Sequence, residues 1–193
     1  MLHLKLATDP RWVNLTEISL EAILSDHAYC EQKAASSCIS LVQLFADIPE
    51  IVEEISPIVT EEWGHFRQVL AEMKRRGLKL GKQRKDEYVN ALMKFKKKGG
   101  TRKEQLLEYL LVCALIEARS CERFRLLSEG LSEPALREFY RKFMIAEASH
   151  YKLFIGLAKK HVGENETLLR WNQFLDFEKE IMESLALRGD RVH

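Results

Sequence analysis

Leu110-Leu-Val-Cys-Ala-Leu-Ile-Glu117-Ala-Arg-Ser-Cys121-Glu-Arg-Phe124 is the stretch on which the fold turns. At helical spacing Leu110, Cys113, Ala114, Cys121 and Phe124 make one apolar stripe, and Glu117 stands in the middle of it. A carboxylate on a core stripe is costly unless it is paired or bound to a metal. The chain accepts that cost repeatedly. Phe139, Phe143, Phe154 and Leu157 share a stripe with Glu147 and His150, and Ala28, Ala34, Ala35, Cys38 and Val42 share one with Glu31.

The acids are ordered as well as placed. Glu62-Trp-Gly-His65 and Glu147-Ala-Ser-His150 are both Glu-x-x-His motifs, in which the two side chains sit about one helical turn apart and can reach the same ion. Either motif alone is unremarkable in a Glu-rich chain. However, Glu31 precedes Glu62 by 31 residues and Glu117 precedes Glu147 by 30, so each half reads Glu, helical hairpin, Glu-x-x-His. Four carboxylates and two imidazoles are the ligand set of dimetal carboxylate bundles, here Glu31, Glu62, His65, Glu117, Glu147 and His150. Carboxylate and imidazole donors without thiolate spacing suit iron, or manganese, better than structural zinc. Cys121, one turn after Glu117, and His27, one turn before Glu31, either pack in the core or line the site, as do Tyr29, Tyr109 and Tyr151.

Punctuation residues divide the chain into helices. A short helix is expected over Thr16–Leu24, then a long one capped by Ser25 or Asp26 and ending near Ala46. Asp47 as cap and Pro49 in the first turn open the second, which Pro57 kinks or restarts and which runs to Arg76 before Gly77 and Gly81. A short helix over Asp86–Lys97 precedes the break at Gly99-Gly100. Thr101 and Glu104 form a capping box for the third long helix, which runs to Glu129. Ser132 and Pro134 start the fourth, ending near His161, and a last amphipathic helix follows Gly163 to about Leu187. Two tightly joined pairs with one long connection predict an all-α, ferritin-like four-helix bundle with one crossover and accessory helices, in a single domain over 1–193.

Composition is that of a soluble globular protein, with 46% apolar and 31% charged residues. The cysteines, Cys30, Cys38, Cys113 and Cys121, show no disulfide-framework or Cys-x-x-Cys spacing. With no signal-peptide pattern and no stretch of membrane-spanning length, a cytoplasmic protein with reduced thiols and no membrane contact is expected. The net charge of +1 hides an asymmetry. Lys74, Arg75, Arg76, Lys79, Lys82, Arg84, Lys85, Lys94, Lys96, Lys97, Lys98, Arg102 and Lys103 fall in one segment containing only two acids, Asp86 and Glu87. One strongly basic segment in an otherwise near-neutral protein points to an anionic partner at that place, the alternative being a solvated crossover.

Asp26-His-Ala-Tyr-Cys-Glu-Gln-Lys-Ala-Ala35, Glu61-Glu-Trp-Gly-His-Phe66, Leu115-Ile-Glu-Ala-Arg-Ser-Cys-Glu-Arg-Phe124 and Ala146-Glu-Ala-Ser-His-Tyr151 together resemble the bacterial MiaE family of tRNA hydroxylases. The resemblance covers nearly the whole chain, and the ligand positions match. It implies a non-haem di-iron monooxygenase with two iron ions, O2 as co-substrate and an external electron donor, a reductase or ferredoxin. The six residues above would be the catalytic metal ligands. The substrate would be the isopentenyl group of a hypermodified adenosine beside the anticodon, presented by a tRNA anticodon stem-loop to a monomer or small oligomer. Bacterioferritin-like iron storage and rubrerythrin-like peroxide scavenging use related sites. The first is expected to need a cage and the second usually carries a Cys-x-x-Cys iron domain, whose motif this sequence lacks.

Overall fold

The computed structural model describes residues 2–193. They form α1 (Arg11–Ile18), α2 (Leu20–Leu44), α3 (Pro49–Arg75), α4 (Glu87–Phe95), α5 (Arg102–Gly130), α6 (Pro134–Val162) and α7 (Glu164–Ser184), with no strand among the described residues. No helix is long and apolar enough to cross a membrane among them. The chain divides into two compact units, one of Asn14–Lys85 with Arg188–Val192, the other of the residues up to Val13, Asp86–Leu187 and His193.

In the first unit α2 and α3 form a hairpin through residues 45–48. α2 buries Ile23, Leu24, Ala28, Ala35, Cys38 and Leu41, and α3 buries Ile51, Ile55, Ile58, Val69 and Met73, each at a helical repeat. Pro57 does not interrupt α3. Its side chain is exposed, so the Glu53 carbonyl it deprives of a partner faces water rather than the core, and burial of the isoleucine face carries the helix through.

The start of α2 also differs from expectation. The helix begins at Leu20 after Ser19, and the accessory helix lies earlier, over Arg11–Ile18. Ser25 and Asp26 are not caps because their oxygens serve other segments. The Ser25 hydroxyl accepts from the Gly81 N–H at 3.0 Å, and Asp26 accepts from Arg191 at 3.0 Å and the Val192 N–H at 2.8 Å. Likewise Ile48 and Glu133, not Asp47 and Ser132, hold the cap positions of α3 and α6, with no side-chain cap bond. The Thr101–Glu104 capping box forms as expected.

In the second unit α5 packs against α6 and α7 and is buried on nearly every side from Leu106 to Phe124, the position of a central helix. Its charges are resolved internally. Arg119 and Glu178 are fully buried and joined at 2.6 and 2.8 Å. Arg119 also donates to Glu122 at 3.0 Å and to the Leu6 carbonyl at 2.8 Å, while Glu122 accepts from both the Thr8 N–H and hydroxyl. Arg170 forks onto Glu108 at 2.5 and 2.8 Å, and the Lys97 N–H donates to the same carboxylate. These bonds fasten the N-terminal lead-in and the end of α4 to α5.

The 188–192 segment is held to the first unit by Arg84 bonded to Asp190 and by the Asp26 contacts. Gly189 passes so close to α1 that a Cβ there would lie 2.1 Å from the Leu15 carbonyl carbon. The Asp190 carboxyl is lowered to about 2, chiefly by the Arg188 hydrogen bond and also by Arg84 and Arg191. A carboxylate with a depressed folded pKa stabilises the folded segment above its ordinary pKa of 3.8, and that contribution fades as pH falls toward about 2. Hydrogen exchange at the Val192 amide is therefore expected to accelerate between pH 4 and 2 beyond the intrinsic trend, and Asp190→Asn should show the faster exchange at neutral pH.

Candidate metal centre

α2 and α3 bring Glu31, Glu62 and His65 together because the stripes carrying them are the faces the hairpin buries. His65 Nδ1 lies 3.5 Å from a Glu31 oxygen and 3.5 Å from a Glu62 oxygen. His27 Nε2 is 2.6 Å from the other Glu31 oxygen. All four residues are buried, Glu62 to 1% exposure. α5 and α6 repeat the arrangement in the other unit. Glu117, Glu147 and His150 are buried there, and His150 Nδ1 is 4.0 Å from Glu117. Each unit thus carries one Glu from its first helix and one Glu-x-x-His from its second.

Charge in the first triad is strongly perturbed. Burial, then the neighbouring Glu62, raises the Glu31 carboxyl well above the usual carboxylate range. For His65, burial alone lowers the pKa, but hydrogen bonds and charge from Glu31 and Glu62 outweigh it and hold it at about 10. Burial and the His65 charge push His27 down to about 3, so its imidazole stays neutral and shares a 2.6 Å hydrogen bond with Glu31. Without a cation the first triad keeps protons on groups that burial would otherwise leave as uncompensated negative charge. A divalent ion supplies the missing positive charge, and the donors, carboxylate and imidazole without thiolate, fit a di-iron site.

The sequence left Cys121, His27 and the tyrosines undecided. Cys121 donates to the Met144 carbonyl at 3.4 Å, and burial pushes its thiol up to about 11, which makes it a structural thiol. Tyr29 donates to the Gly81 carbonyl, Tyr109 lies under Lys96, whose ammonium is 3.2 Å from the ring centroid, and Tyr151 packs 5.9 Å from Trp171. His27 reaches a predicted ligand, Glu31.

Of the basic segment, Lys74, Arg75, Lys79, Lys82 and Lys85 in the first unit and Lys94, Lys97, Lys98, Arg102 and Lys103 in the second are exposed. Arg76, Arg84 and Lys96 are half-buried, held by Glu72, Asp190 and the Tyr109 ring respectively. Arg75 also pairs with Glu72.

Buried Glu and His triads carried on paired helices fit a carboxylate–histidine helical protein of the dimetal class. The chain belongs to the family tRNA-(MS[2]IO[6]A)-hydroxylase (MiaE), whose family model matches residues 1–193. It is 36% identical over 157 residues to the tRNA 2-(methylsulfanyl)-N(6)-isopentenyladenosine(37) hydroxylase of Pseudomonas putida, spanning 81% of this chain and 75% of that protein. To the protein of the same name from Salmonella typhimurium it is 32% identical over 117 residues, 60% of this chain and 42% of that one. Among solved structures it is similar to a Synechococcus protein described as having aldehyde deformylating oxygenase activity, with a TM-score of 0.92 and 33% identity over 98% of this chain and 94% of that one. The fold is all-α and ferritin-like, as the paired hairpins predict.

The high pKa and burial of Cys121 predict negligible alkylation by iodoacetamide at pH 7.5 in the native protein. Mass-resolved labelling checks this, and full labelling should appear only in denaturant.

Proposed function

We propose that this chain is an O2-dependent tRNA hydroxylase acting on the isopentenyl group of a hypermodified adenosine beside the anticodon. Glu31, Glu62, His65, Glu117, Glu147 and His150 would hold two iron ions within one ferritin-like domain spanning 1–193. The observation that carries this reading is the buried Glu, Glu, His triad repeated in each unit of a chain that matches the hydroxylase family throughout.

Iron bound by these residues supplies the redox chemistry needed to activate dioxygen. Converting C–H to C–OH with O2 consumes two electrons and two protons and releases one water, so a reductase or ferredoxin is the required partner. The chain's own part is to hold the ligands and keep the site dry. His27 fixes Glu31 through their 2.6 Å hydrogen bond, and the apolar residues of each stripe exclude bulk water. The exposed lysines and arginines of the basic segment would engage the phosphates of an anticodon stem-loop. A tRNA substrate would put the working protein in the cytoplasm. Storage and peroxide scavenging are not favoured, because the curated relatives are named as tRNA hydroxylases.

Ferrous titration of the metal-free chain is expected to saturate near two ions, and Glu62→Ala or Glu147→Ala should abolish that stoichiometry without unfolding the chain. One ion or none in the wild type rejects the dimetal site. Nucleoside analysis of tRNA from cells lacking the protein should show loss of one hydroxylated adenosine, and an unchanged profile rejects the substrate.

Reversing Lys94, Lys97 and Lys98 to Glu should weaken anticodon stem-loop binding and flatten its salt dependence while leaving iron content intact. Lys96 is best spared, since its contact with Tyr109 would confound the result. Unchanged binding in the triple variant removes this stretch from the RNA surface.

A further inference from the structure

Trp63 occupies the second position of the Glu62–His65 motif yet points the other way. Its two neighbours in the ligand set are buried, whereas Trp63 is 47% exposed, the most accessible of the three tryptophans by far, with Trp12 at 0% and Trp171 at 4%. Phe66, one turn on, stands against it with ring centroids 5.0 Å apart and planes tilted by 40°, which braces the indole. The surface beside it is clear, because a Cβ added at Gly64 would meet no atom within 4 Å.

The same exposed stripe continues along α3. Trp63, Arg67, Ala71 and Lys74 follow at helical spacing, and all are exposed. Trp63 and Lys74 are eleven residues apart, or about 16 Å along the helix. Lys74 is also the first residue of the basic segment. A braced aromatic face at one end of a row of cations is the combination that holds single-stranded nucleic acid: a ring for a base to stack on and charges for the phosphates that follow.

We infer that Trp63, braced by Phe66, is a stacking platform for an unpaired base of the RNA substrate, and that Arg67 and Lys74 take the adjoining phosphates. This rests on the tRNA hydroxylase reading. It adds a binding surface on α3, outside the crossover itself and on the helix that supplies two proposed iron ligands.

The probe is a synthetic anticodon stem-loop RNA carrying isopentenyl adenosine, titrated against the iron-loaded full chain. Trp63→Ala should weaken binding roughly 5- to 150-fold, since a stacked base contributes ~1–3 kcal/mol, with the salt slope and iron content unchanged. Trp63→Phe should keep most of the affinity. Arg67→Ala should lower the salt slope by ~0.7, the change for one phosphate of a single strand left without its cation. As a check that needs no variant, the RNA should protect wild-type tryptophan fluorescence from acrylamide, because Trp63 is the accessible indole.

Equal affinity of the wild type and Trp63→Ala, or unprotected fluorescence at saturating RNA, overturns this inference alone. So does a Trp63→Ala variant that binds RNA normally but needs more reductase for half-maximal turnover, which would make the indole a protein-docking site. Failure of the wild-type chain to bind the stem-loop overturns the inference together with the hydroxylase reading.

Discussion

A carboxylate withdrawn from water must keep a cation or a proton beside it, and much of this molecule is organised around that requirement. Six of the seven buried glutamates, all but Glu147, divide into two groups by what meets them. Glu108, Glu122 and Glu178 face guanidinium groups, from Arg170 and Arg119. Glu31, Glu62 and Glu117 face imidazoles, from His27, His65 and His150. The difference is chemical. A guanidinium has only donors and completes a closed ion pair, whereas a neutral imidazole has a lone pair to offer and can share a metal with the carboxylate next to it. The first group holds helices together; the second makes a site.

α5 shows how one helix serves both ends. Glu117 belongs to the triad facing α6, while Arg119 and Glu122, on other sides of the same turns, engage α7 and the N-terminal lead-in. Because the helix is buried almost all round, each of these charges had to be answered locally. Single removal of a partner would leave the other buried and uncompensated.

The basic segment is less uniform than its composition implies. Arg76, Arg84 and Lys96 are engaged by Glu72, Asp190 and Tyr109, and so serve to hold the segment rather than to present charge. What remains exposed is the set able to meet phosphate, and on α3 its first member, Lys74, lies on the same exposed stripe as the Trp63 indole, about 16 Å along the helix.

Periodicity made the four long helices, the Thr101–Glu104 box and the two triads legible from residues alone, since an acid on an apolar stripe and its one-turn partner need no knowledge of the neighbouring helix. Contacts distant in sequence were not legible. Ser25 and Asp26 read as caps by local rule, but Gly81, Arg191 and Val192 claim their oxygens. Pro57 reads as a break, but its exposure lets α3 continue. Nor could spacing tell that Arg119 meets Glu178, or that Trp63 is uncovered while Trp12 and Trp171 are buried. The sequence by itself determined which residues share a helix face, because that depends on a fixed rise and turn per residue. Only the tertiary structure decided which of those faces are covered and which charges meet, because both depend on what the rest of the chain brings alongside.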